Sequence, residues 1–192
     1  MFRAEVVSII AGGRSVRRID RSKIPGFRIG VNDSFIHAEC DVAVSMDRLW
    51  TENRWAALHH EAKPAYIRTA ALKLIEDRPA WLREFECDIH NLSMSESWTA
   101  LNGNNSGFCA LNLAYLARPR KIYLFGFDMT GSYWYPKYSW QGSKGGARFG
   151  KWAGEFVTAA RQLASIGVEV VNVSPISEIR VFRKIQDLEA VA

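Results

Sequence analysis

Glu5-Val6-Val7-Ser8-Ile9-Ile10 runs straight into Ala11-Gly12-Gly13-Arg14-Ser15, an apolar β-branched run with a glycine turn at its end. A near-continuous run of this kind, without polar alternation, reads as a strand buried on both faces, the signature of a parallel sheet covered by helices. Comparable runs follow at residues 27–31, 41–45, 121–125 and 168–173, with a weaker one at 65–69. Helical stretches lie between them at 48–60, 106–117 and 152–166, and a short one is read at 80–85. The last long stretch carries Phe156, Ala160, Leu163 and Ile166 at helical spacing and stops at Gly167, a natural residue just past a helix end. Strand–helix alternation predicts an α/β fold: a Rossmann-like, doubly wound, mostly parallel sheet with helices on both faces.

With 192 residues, the chain fits a single domain spanning 1–192. Its 48% hydrophobic and 23% charged residues exclude wholesale disorder. Three cysteines, Cys40, Cys87 and Cys109, are odd in number and widely spaced, which excludes a disulfide framework and a four-cysteine zinc site. No apolar run approaches the ~20 residues of a membrane span, and no signal peptide is expected from residues 1–10, which enter directly into an apolar strand. The expectation is a cytoplasmic protein without a membrane span. No histidine pair has metal-ligand spacing and no Gly-x-Ser-x-Gly elbow is present.

Ligands of open α/β sheets bind at the carboxyl ends of the strands, where the strand order reverses, and five polar clusters fall at such ends. Gly12, Gly13, Arg14 and Ser15 follow the first run and read as either a phosphate cradle or an ordinary tight turn. Asn32 follows the second, as a helix cap or a ligand contact. Asp47 follows the third, as a base, a ribose contact or a cap. Asn105, Ser106 and Gly107 open an apolar helix and suit a phosphate. Gly126 follows a strong strand and permits close approach, with Asp128 beside it as a candidate base. Residues 129–150 have no clear period and are read as a lid. They carry Tyr133, Trp134, Tyr135, Tyr138 and Trp140, then Lys144 and Arg148, groups that stack on rings and neutralise phosphate.

Taken in order, these pieces resemble the bacterial sialyltransferase-like family (glycosyltransferase family 42-like) and the related group of unassigned domains that includes archaeal pterin diphosphokinase-like proteins. The resemblance rests on Ile9-Ile10-Ala11-Gly12-Gly13-Arg14-Ser15, Ile19-Asp20-Arg21-Ser22, Asn32-Asp33-Ser34-Phe35, Ser106-Gly107, Phe125-Gly126-Phe127-Asp128-Met129 and Asn172-Val173-Ser174-Pro175, and it spans roughly residues 5–175. It implies a Rossmann-like fold of the glycosyltransferase-A-like variant, an activated donor (typically a cytidine monophosphate sugar) as substrate with no further cofactor, and no metal. It also implies that Gly12, Gly13 and Ser15 cradle phosphate and ribose, that Asn32 meets the donor, and that Asn105, Ser106 and Gly107 bind phosphate or the sugar carboxylate. Tyr133 and Tyr138 would steady the leaving phosphate. The family's lid histidine has no counterpart, since none follows His90; another group, Asp128 or Asp47, would then take the proton.

The function expected is a nucleotide-dependent transferase, a glycosyltransferase acting on a glycan or small-molecule acceptor. The alternative is a non-catalytic nucleotide-binding protein. Nucleic acid ranks last among partners, and a homo-oligomer stays open. The net charge of +5 is unevenly placed. Residues 1–32 hold seven basic and two acidic residues, and residues 118–151 hold seven basic and one acidic. The glycine turn and the lid therefore predict an anionic ligand held between them.

Overall fold

The computed structural model describes residues 2–136 and 146–188. Nine strands, β1 (Val6–Ile10), β2 (Phe27–Val31), β3 (Val42–Ser45), β4 (Ala65–Arg68), β5 (Leu82–Asp88), β6 (Ala100–Asn102), β7 (Lys121–Phe125), β8 (Glu169–Val173) and β9 (Arg183–Lys184), form one sheet in the order β6-β5-β4-β3-β2-β1-β7-β8-β9. Every pairing is parallel. The chain winds outward from β1 to β6, returns to the other side of β1 with β7, and winds outward again. The expected Rossmann-like α/β fold is present.

The apolar runs bury both faces, and successive residues feed two cores. Val7 and Ile9 of β1, with Ile122 and Leu124 of β7, join one core with helix α3 (Ser106–Leu116) and Phe156, Ala159 and Leu163 of helix α4 (Gly146–Ser165). Ile10 of β1 and Tyr123 and Phe125 of β7 join the other, with Trp50 and Leu58 of helix α2 (Arg48–Glu61) and Phe35 of helix α1 (Ser34–His37). This period-two division is what a strand covered on both faces requires.

Helix α3 is buried at all 11 positions. Its one side-chain amide, Asn112, has partners at both atoms: Oδ1 accepts from the N–H groups of Ser95 (3.0 Å) and Asn102 (2.8 Å), and Nδ2 donates to the Ser95 carbonyl (3.0 Å). A buried amide with its partners in place adds specificity rather than a penalty.

Two expectations need correction. Residues 80–85 do not form a helix; Leu82–Asp88 is β5, laid in register on β4 from Ala65↔Leu82 to Arg68↔Phe85. The open parallel edge of β4 supplies a full ladder of backbone partners, and this outweighs the helix propensity of Leu, Arg and Glu. The lid is also shorter than residues 129–150, because α4 begins at Gly146, ahead of the expected start at 152. The aromatic packing of Phe149 on Trp152 (5.4 Å) and the position of Arg148 over the Trp152 ring (6.0 Å) belong to this first part of the helix.

Candidate functional site

The strand order reverses between β1 and β7, and their carboxyl ends stay hydrogen-bonded beyond the strands. Ala11 N–H donates to the Phe125 carbonyl and Gly13 N–H to the Gly126 carbonyl, both at 2.8 Å. A cleft of about 360 Å³ opens over this point, bounded by the ends of β1, β2, β3, β4 and β7, the start of α3, residues 129–135 and the first turns of α4. This is where an open α/β sheet binds its ligand.

Eleven of the residues singled out in the sequence line the cleft: Gly12, Gly13, Asn32, Asp47, Asn105, Ser106, Gly107, Gly126, Tyr133, Tyr135 and Arg148. Asn32 follows β2 in a left-handed conformation (φ 51°), and its Oδ1 is buried with no hydrogen-bond partner. Such an acceptor is costly to leave unpaired, and its place in the wall fits an N–H or O–H donor on a ligand. Asp47 precedes α2, but its side chain makes no capping hydrogen bond to that helix.

At the mouth of α3, Asn105 is a true N-cap, with Oδ1 accepting from Phe108 N–H at 2.9 Å. Ser106 Oγ accepts from Met46 N–H at 3.1 Å, tying the end of β3 to the helix start. The N–H groups of Ser106 and Gly107 lie at the helix's open, electropositive end, where an anion is stabilised. A Cβ on Gly107 would sit 3.1 Å from the Phe127 ring.

The glycine turn is used differently from a bare phosphate cradle. A Cβ on Gly12 would lie 2.6 Å from Tyr135 Oη and 2.7 Å from Tyr133 Cδ1. A Cβ on Gly13 would lie 2.5 Å from both Asp128 Cγ and the Gly126 carbonyl oxygen. Gly126 itself has φ 69°, and a Cβ there would lie 2.5 Å from the Ala11 carbonyl oxygen. The missing side chains make room first for the protein's own tyrosines and carboxylate. Residues 133–134 are stitched along this turn: Gly13 and Tyr133 form an antiparallel bridge, Trp134 N–H donates to the Gly12 carbonyl (3.0 Å), and Trp134 Nε1 donates to the Ala11 carbonyl (3.0 Å).

Asp128 is not where a base would be. It is fully buried and lies behind the cleft wall, accepting from Ser15 N–H (2.9 Å), Ser15 Oγ (2.5 Å) and Ser174 Oγ (2.7 Å). A carboxylate held this way braces the ends of β1, β7 and β8 and does not reach an acceptor hydroxyl, which corrects its reading as a catalytic group. Ser15 is likewise committed to the brace, and Arg14 lines a separate cavity. Tyr138 lies outside the described residues.

The cleft also holds groups the site reading passed over. Arg68, at the end of β4, is half-buried in its wall, and it adds to Arg148 of α4, the cation expected in the lid, which also lines the cleft. Asn104 donates to Oε1 of the buried Glu155 of α4 (2.6 Å) and accepts from Asn105 Nδ2 (3.2 Å), linking α4 to the start of α3. Arg68 was marked only by its place at a strand's carboxyl end. Glu155 had no signal within its own helix pattern. His37, isolated in the sequence, stacks on Tyr135 (5.8 Å, 23°).

Among the described residues, no group of three or more His, Cys, Asp or Glu is placed to hold a metal ion, and no helix is long and apolar enough to cross a membrane. Set against known protein families, curated proteins and solved structures, the chain matches none.

Proposed function

We propose that the cleft binds a nucleotide-activated sugar, on the resemblance a cytidine monophosphate sugar, and transfers the sugar to a hydroxyl acceptor on a glycan or small molecule. The observation that carries the reading is Asn32, with its buried and unpartnered Oδ1, in the wall of a cleft at the strand-order reversal that the start of α3, Arg68 and Arg148 also line. The phosphate of the donor sits at the N–H groups of Ser106 and Gly107 with Arg68 and Arg148 supplying positive charge, which strengthens as charge develops on the leaving phosphate. Tyr133 contributes a ring for stacking and a phenol for hydrogen bonding. Asp47, on the cleft wall, takes the proton of the acceptor hydroxyl. The odd number and wide spacing of the three cysteines fit a reducing, cytoplasmic setting.

A second reading, tight nucleotide binding without turnover, is favoured by the burial of Asp128, which leaves Asp47 as the acid group on the wall to act as base. One experiment separates the two. The protein is incubated with CMP-, UDP- and GDP-sugars and acceptor sugars, and free nucleotide and product are measured for the parent and for Asp47→Asn and Arg68→Gln. Transfer that falls at least a hundredfold in Asp47→Asn with binding retained supports the enzyme. A donor bound by the parent and recovered unchanged selects the binding protein, and no binding of any donor sinks both.

A further inference from the structure

We propose that a second cavity, on the far side of the Arg14–Arg18 turn from the cleft, binds a small anion bearing a phosphate or diphosphate group. The cavity measures about 290 Å³, and three guanidinium groups line it, those of Arg14, Arg17 and Arg18. They stand on one 3-10 turn, Arg14–Arg18, whose three-residue period sets Arg14 and Arg17 one above the other. Val173, Pro175 and Ile176 form an apolar floor after β8, Gln186 adds an amide, and no acidic residue lines the cavity among the described residues.

The charge is what needs an explanation. Three cations on one turn repel one another, and proteins ordinarily offset such a cluster with carboxylates. Here Arg14 and Arg18 enter no hydrogen bond or ion pair among the described residues. Arg17 reaches only the carbonyls of Tyr133 (Nη2, 3.3 Å) and Trp134 (Nε, 3.4 Å), which fixes its stem and keeps its full charge. Ser15, the polar residue between them, already gives its hydroxyl and its N–H to Asp128. What remains is two planar donor forks, those of Arg14 and Arg18, with no acceptor among the described residues, and phosphate oxygens are the acceptors such forks match two at a time. The apolar floor leaves space for an organic body attached to the phosphate.

The site is distinct from the cleft in its residues and communicates with it through two contacts. The turn's Ser15 is held by the Asp128 brace, and Arg17 is bonded to residues 133–134, which run along the Gly12–Gly13 turn. The inference does not rest on the reading of the cleft, and Arg68 in the cleft serves as its control.

The test is a titration of the full chain with inorganic pyrophosphate, glucose 1-phosphate and CMP, followed by methyl NMR at Val173 and Ile176. Pyrophosphate or a phosphate ester is expected to move these signals in a saturable way. Arg14→Gln/Arg18→Gln should weaken that binding about tenfold or more, while Arg68→Gln leaves it unchanged. The charge-keeping pair Arg14→Lys/Arg18→Lys should fall between, because the charge stays and the fork is lost. Preference for pyrophosphate assigns a free anion, and preference for an ester assigns a carried phosphate. Signals that stay still at millimolar ligand, binding abolished by Arg68→Gln but not by the arginine pair, or tighter binding of a single-stranded oligonucleotide than of every small phosphate would each overturn the proposal.

Discussion

Asp128 accepts two hydrogen bonds from Ser15, at 2.9 Å from its N–H and 2.5 Å from its hydroxyl, across 113 positions of sequence. With Ser174 as third donor, one buried carboxylate closes the reversal point of the sheet. Asp128→Ala strands three buried donors, at about 1–3 kcal/mol for each unsatisfied group, so a loss of about 3–5 kcal/mol is expected. Ser15→Ala, which keeps the backbone bond, should lose about 1 kcal/mol. Urea denaturation measures both, and a parent-like midpoint for Asp128→Ala would remove the brace.

The two glycines of the turn should differ in tolerance. Added at Gly12, a Cβ meets the Tyr133 and Tyr135 side chains, which can rotate away. Added at Gly13, it meets the Gly126 backbone as well as Asp128, and neither can move without breaking the brace. Gly12→Ala should therefore lower stability by about 1 kcal/mol and Gly13→Ala by about 3 kcal/mol, in line with forced overpacking. Thermal melts that rank them the other way would contradict this packing.

Much of this architecture was legible in the residues because the apolar runs at 6–10 and 121–125 have no polar alternation to confuse the period, and both are central strands. Residues 82–88 were misread because charged residues crowd an apolar pair, and only the waiting edge of β4 decides their conformation. β9 is two residues long and has no period to read. Most of the site candidates at strand ends reach the cleft because strand ends converge by topology alone. Asp128 defeated the same logic. It follows its strand as a site residue would, but the hydroxyls of Ser15 and Ser174 that turn it inward come from segments that follow other strands, so no local spacing announces them.

Asn32 offers a test in which stability and binding part company. Its left-handed backbone suits glycine at least as well as asparagine. Asn32→Gly removes the unpartnered Oδ1 and should leave stability within about 0.5 kcal/mol of the parent, because no hydrogen bond to that atom is lost. Nucleotide affinity should nevertheless fall by about 1–2 kcal/mol, roughly a factor of 5–30, if a ligand donor meets that oxygen. Calorimetric titration alongside a thermal melt reads both, and unchanged affinity would take Asn32 out of the site.

The cysteines should separate by reactivity and by pH. A hydrogen bond from the Cys109 thiol, 3.8 Å away, holds the Cys87 thiol below its usual value, while that same contact together with complete burial raises Cys109. Burial pushes Cys40 up to about 12. Because the thiolate is the nucleophile, iodoacetamide near neutral pH should label Cys87 first and leave Cys40 untouched until the chain unfolds. Cys40 also gives the fold an alkaline signature. Its folded value lies above the unfolded one, so the native state holds the proton longer; the stability this contributes is complete below about 9 and is lost as pH rises toward about 12. Urea midpoints of the parent should decline across that window beyond any decline shown by Cys40→Ala, which has no such proton to lose. Parallel curves for the two proteins would show that this thiol does not titrate as a buried group.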